Sequence, residues 1–164
     1  MSAIASFYLV SDSRLPEVVA AATPAPRRWL RPARDTFWEV LRGDSRELEP
    51  FTAGSGWVFN TLDLYLRDRH GLIYDKFGDE ATSDLLSKAR GSSWLAVPSA
   101  SAAQLLDALK PVDLKLSDLV AFITSEHGSE EAAEEAAAVQ AALTTFKGWL
   151  AQVPAGTTGL LSVG

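Results

Sequence analysis

Residues 4–10 (IASFYLV) are hydrophobic apart from Ser6 and then give way to Ser11, Asp12 and Ser13. A β-branched and aromatic run closed by such a cluster predicts a strand, and the cluster can cap a following helix. Leu15, Val18, Val19 and Ala22 continue at helical spacing, with Pro16 tolerable only in the first turn, so a helix to about residue 22 is expected. Pro24, Pro26 and Pro32 then deny the backbone its donors, and residues 23–34 read as a connector. Residues 35–42 predict a short helix stopped by Gly43, followed by a polar stretch to Pro50 and a TAGSG turn.

The stretch GWVFNTLDLYLRDRHGLIYDKFG, residues 56–78, holds one of the two histidines, three aspartates, two tyrosines and a tryptophan. Val58, Leu62, Tyr65 and Arg69 recur at helical intervals, and Asp63 with Arg67 is an ion pair suited to an exposed face. Gly71 can take the left-handed position that ends this helix, with His70 in its favoured last turn. Another helix is expected over residues 79–90, with Ala81, Leu85, Leu86 and Ala89 inward and Gly91 as its stop. Residues 94–97 predict a strand, and Ser101 with Gln104 fits a capping box in the helix begun by Pro98 and Ser99, which Lys110 and Pro111 close. Ser117 opens a helix ending at His127 and Gly128, the same punctuation as His70 and Gly71. The longest helix, residues 129–152, carries a core stripe of Ala132, Ala136, Val139, Leu143, Phe146 and Leu150, and TTGLLSVG reads as a final strand.

Composition narrows the classes. A chain of 164 residues that is 47% hydrophobic and 22% charged suits one globular domain. The absence of cysteine excludes disulfides, thiolate catalysis and Cys-ligated metal, and the cytoplasm is the expected location. The amino-terminal segment lacks a basic leader region, and the uncharged run 91–106 is too short for a bilayer span, so neither a signal peptide nor a membrane segment is expected. The net charge of −6 falls mostly on the carboxy-terminal third and disfavours binding to nucleic acid over the whole surface.

ASFYLVSDSRLPEVVAAA, GWVFNTLDLYL, SWLAVPSASAAQLLDALKPVD and the long helix leading to TTGLLSVG, in this order, resemble the YfbM-like family of small bacterial α+β proteins. Gly54, Ser55 and Gly56 stand where that family would carry a charged lead-in to the tryptophan. The resemblance implies one compact domain in a bacterial cytoplasm. It supplies no activity and no functional residues.

Candidate chemistry is therefore read from residues. Trp57, Asn60, Tyr65, His70 and Asp75 could line a polar-aromatic cleft in which the histidine acts as a base. Tyr65 in the core and His70 as a helix-end residue account for the same pattern. Arg27, Arg28, Arg31 and Arg34 around Trp29 could anchor a protein partner or stack on a nucleic-acid base; a solvated connector with Trp29 buried is the plainer account. His70 and His127 lack metal-ligand spacing, Ser55 lacks an evident base, and no cofactor is expected. The acidic run from Glu130 to Glu135 could be a solvated first turn or a face for a basic partner, as in inhibitor or immunity-type proteins.

The resulting expectation is a single α+β domain, a small sheet of the terminal strands and a strand near 93–97 covered by about six helices. Its expected function is a non-catalytic binding or protein-interaction module. The alternative is a small-molecule binding protein or hydrolase with a cleft around residues 57–75, for which Asn60, His70 and Asp75 must converge on one cavity.

Overall fold

In the computed structural model, which describes residues 3–23, 35–128 and 130–164, the two terminal strands lie side by side at the centre of the sheet. β1 (Ala5–Ser11) pairs antiparallel with β4 (Thr157–Val163), Ala5 facing Val163 and Ser11 facing Thr157. β3 (Ser93–Pro98) pairs with the outer side of β4, and β2 (Ser45–Glu47) with the outer side of β1, giving the order β2-β1-β4-β3. Seven α-helices among the described residues complete a single α+β domain: α1 (Leu15–Ala22), α2 (Phe37–Asp44), α3 (Val58–His70), α4 (Glu80–Arg90), α5 (Ser99–Leu109), α6 (Leu116–His127) and α7 (Ala132–Leu150).

Both faces of the sheet are covered, which explains why its strands read as continuous apolar runs rather than alternating ones. Phe7, Leu9, Leu95, Val97, Leu161 and Val163 face the larger core, built with α3, α5, α6 and α7. Tyr8, Val10, Trp94, Ala96 and Leu160 face the smaller one, built with α1, α2 and α4. The six residues of the α7 stripe are all buried, as their spacing predicts.

Two glycines permit close approaches that set this geometry. A Cβ on Gly159 would lie 2.3 Å from Phe7 Cζ, so the bare backbone of β4 makes room for a ring that stacks on Trp149 at 5.4 Å. A Cβ on Gly56 would lie 2.8 Å from the backbone of Ile4 and Ala5, so glycine lets the start of α3 rest directly on β1. Gly71 and Gly91 end α3 and α4 in the left-handed conformation expected of them, whereas Gly128 ends α6 at φ 94 and ψ 175.

Several local expectations are corrected. β2 is a strand within the stretch read as irregular, and α2 runs through Gly43 to Asp44. Ser11, Asp12 and Ser13 do not cap α1: Asp12 accepts a hydrogen bond from Thr158 at 2.8 Å, and Arg14 holds the helix start by pairing with Asp44 at 2.7 Å. α5 starts at Ser99 without a side-chain cap, so Ser101 and Gln104 form no capping box. α7 starts at Ala132 behind Glu131, which adopts φ 64. In α4, Leu86 is buried but Leu85 is 39% exposed and Ala81 exposed, because the inward face carries Ser83 and Ser87.

Those serines close the free side of β3. Ser83 Oγ accepts from Ala96 N–H at 2.9 Å, Ser87 Oγ accepts from Trp94 N–H at 2.9 Å, and Asp79 N–H donates to Ala96 C=O at 2.8 Å. Four helical residues advance about 6 Å and two strand residues about 6.8 Å, so hydroxyls one turn apart match successive outward amides.

Candidate functional site

A concavity of about 670 Å³ lies where α3, the 3₁₀ turn Tyr74–Phe77, α4 and the first half of β3 meet. Helical geometry supplies its first wall: Asn60, Asp63 and Leu64 lie on consecutive turns of the α3 face opposite the buried Leu62 and Tyr65. The 3₁₀ turn adds Tyr74, Asp75 and Lys76, and α4 adds Glu80, Ser83, Asp84 and Ser87. Trp94, Leu95, Leu161 and Val163 contribute the apolar part of the lining.

Asp63, Asp75, Glu80 and Asp84 thus face a single lysine, Lys76. Arg67 and Lys88 offset part of this charge from the flanks: Arg67 lies 2.9 Å from Asp63 and 3.9 Å from Asp75, and Lys88 lies 3.7 Å from Asp84. Burial raises the Asp63 carboxyl above its ordinary range, Arg67 opposing the rise and Asp75 adding to it. Its Oδ1 is buried without a hydrogen-bond partner among the described residues.

The hydroxyls of the cleft have structural duties. Ser83 Oγ donates to Asp79 C=O at 2.7 Å while accepting from β3, and Ser87 Oγ accepts from Trp94. Tyr74 OH donates to Phe59 C=O at 2.8 Å, and burial pushes this phenol well above its usual pKa. Ser55 Oγ, the other serine weighed, accepts from Ala3 N–H at 3.2 Å and Trp57 N–H at 3.4 Å, shaping the turn before α3.

Of the five residues read as a cleft, Asn60 and Asp75 meet in this cavity and the other three do not line it. Tyr65 is buried against Phe122, edge to face at 5.2 Å. His70 is exposed with its ring 5.9 Å from that of Tyr65, and its place at the end of α3 is about 15 Å along the axis from Asn60. Trp57 is 48% exposed on the shoulder beside the cavity. Arg27, Arg28, Trp29, Arg31 and Arg34 lie outside the described residues, as does the side chain of His127 in the histidine pair weighed for metal. Among the described residues no group of three or more acidic or histidine side chains is placed to hold a metal ion, and no helix is long and apolar enough to cross a membrane.

Asp63, Glu80 and Asp84 escaped the sequence reading. Asp63 pairs with Arg67 as expected, yet its side chain is only 14% exposed because the 3₁₀ turn packs beside α3. The signal available was the count of acids in residues 63–84; nothing local indicated that they share a cavity. No family model, curated protein or solved structure matches the chain.

Proposed function

We propose that the protein is a non-catalytic binding module, a protein-interaction domain of the bacterial cytoplasm whose recognition surface is the acidic cleft between α3 and α4. The observation carrying this reading is the cleft's composition: four carboxylates face one lysine over an apolar floor, while its serine and tyrosine hydroxyls hold the fold together. A surface of this kind selects a cationic partner by charge complementarity and speeds its encounter. Glu130, Glu131 and Glu134, exposed at the start of α7, add a second acidic patch of the kind an inhibitor or immunity-type protein presents. The resemblance to the YfbM-like family belongs to the same proposal and supplies its bacterial setting.

The cleft built on Asn60, His70 and Asp75 loses its histidine, which does not line the cavity, and one observation favours a second reading without it, a small-molecule binding protein or hydrolase centred on Asp63. Asp63, with its raised pKa beside Asp75, has the character of a general acid. Native mass spectrometry of the protein purified gently from its host tests both readings. A defined complex with a second polypeptide supports the interaction module; a small adduct lost on unfolding favours the alternative.

A further inference from the structure

Beyond the cleft, two features invite a function. The aromatic group of Phe37, Trp38 and Trp94 already holds a cation of its own, Arg90, whose guanidinium lies 4.5 Å from the Phe37 ring and pairs with Asp35 at 2.8 Å. The short strand β2 presents an outer edge of three residues, too little to register a partner strand. The shoulder of the cleft carries more.

Trp57, Asn60 and Leu64 form one stripe along the outer face of α3. Trp57 is 48% exposed and Leu64 44%, and Ile4, whose backbone abuts Gly56, is 64% exposed. Asn60 and Leu64 also line the cleft, so the apolar stripe and the acidic cavity are continuous. Glu80, on the far wall, has no ionic partner among the described residues.

We propose that this groove receives a lysine- or arginine-bearing segment of a protein partner, its basic side chains entering among Asp75, Glu80 and Asp84 and its apolar side chains lying on Trp57 and Leu64. The proposal rests on the binding reading above and names its ligand. A small organic cation would use the carboxylates and leave the stripe in water, whereas a protein segment covers both; exposed tryptophans are favoured anchors in such contacts. Phosphate-bearing partners are repelled by the carboxylates. Because Ser83 and Ser87 occupy the outward amides of β3, recognition there falls to side chains rather than to strand addition.

Fluorescence anisotropy with a labelled short peptide alternating lysine and leucine tests this directly, with a lysine–serine peptide and spermidine as comparisons. The lysine–leucine peptide is expected to bind with salt-sensitive affinity, and Kd to rise about tenfold in the Asp75→Asn, Glu80→Gln, Asp84→Asn protein. Trp57→Ala weakens it about tenfold, and the lysine–serine peptide binds the parent as weakly as the leucine peptide binds that variant. Lys76→Ala tightens binding, a gain that misfolding cannot imitate. Equal binding to parent and charge-neutralised protein overturns the proposal, as do equal binding of the two peptides, displacement by stoichiometric spermidine, or no binding at all. A small adduct in the native spectrum overturns the peptide while preserving a binding role; turnover that depends on Asp63 overturns the binding module itself.

Discussion

Replacing Gly159 with alanine places a methyl group where no space exists. Its Cβ would stand 2.3 Å from Phe7 Cζ, 2.7 Å from Phe7 Cε1 and 3.2 Å from Val153 Cγ2. An ordinary carbon–carbon contact is about 3.5–4 Å, so the ring must retreat by more than about 1 Å. Phe7 is fully buried and stacked at 5.4 Å on Trp149, which is itself stacked at 5.5 Å on Phe59, so the displacement passes through three rings. Overpacking of this kind costs about 1–3 kcal/mol, and relief of glycine's chain entropy returns about 0.5–1 kcal/mol. A net loss of about 1–2 kcal/mol is expected. Equilibrium urea unfolding followed by tryptophan fluorescence reads it, and Phe7→Leu in the same background supplies the control. The smaller side chain vacates the contested volume, so the double variant should be more stable than the sum of single losses predicts, by about 1 kcal/mol. Stability of Gly159→Ala within about 0.5 kcal/mol of the parent, or strict additivity in the double variant, would refute the steric argument.

Three further outcomes follow from the same contacts. Ser83→Ala combined with Ser87→Ala strands the N–H groups of Ala96 and Trp94, and should cost about 2–4 kcal/mol in urea unfolding with faster hydrogen exchange at those two amides. Asp35 is held below its ordinary pKa, first by the hydrogen bond from Arg90; this stabilisation is present above the unfolded value of 3.8 and is lost as pH falls through the lower folded value. Asp35→Asn should therefore lower Tm at neutral pH, and the gap to the parent should close in strong acid. Asp63 has the opposite sign: its folded carboxyl binds a proton more tightly than the unfolded one, so its contribution weakens stability as pH rises from 3.8 through the raised folded value. An NMR titration should place Asp63 above the usual carboxylate range, and Asp75→Asn should bring it down.

Wherever hydrophobic period and end signals coincide, the fold could be read from the residues. The stripe from Ala132 to Leu150 and the glycine ends of α3 and α4 are such places, since burial and helix termination both leave local marks. In α4 the same reasoning placed Leu86 and Ala89 correctly but Ala81 and Leu85 wrongly: both look inward by hydropathy, but hydrogen bonds to β3 turn Ser83 and Ser87 toward the sheet. β2 was illegible because Ser45, Arg46 and Glu47 become a strand only through pairing with β1. Asn60 and Asp75 were recognisable as polar residues near a helix and its following turn. Their meeting with Glu80 and Asp84, and the distance of His70 from them, are properties of how α3 and α4 pack and leave no pattern along the chain.

The adjacency of β1 and β4 also orders events during synthesis. Ala5 finds its partner in Val163, and among the described residues β3 has no strand neighbour other than β4, so the sheet cannot close until residues 157–163 have been made. Until then β3 can rest on α4, joined by hydrogen bonds between residues close in sequence, and on the following helix α5. Such local contacts form readily, whereas pairing of the most distant strands carries the largest chain-closure cost. On the ribosome, a partly made chain can therefore assemble the α4–β3 unit and wait, with both central strands formed into a sheet only once residues 157–163 have emerged.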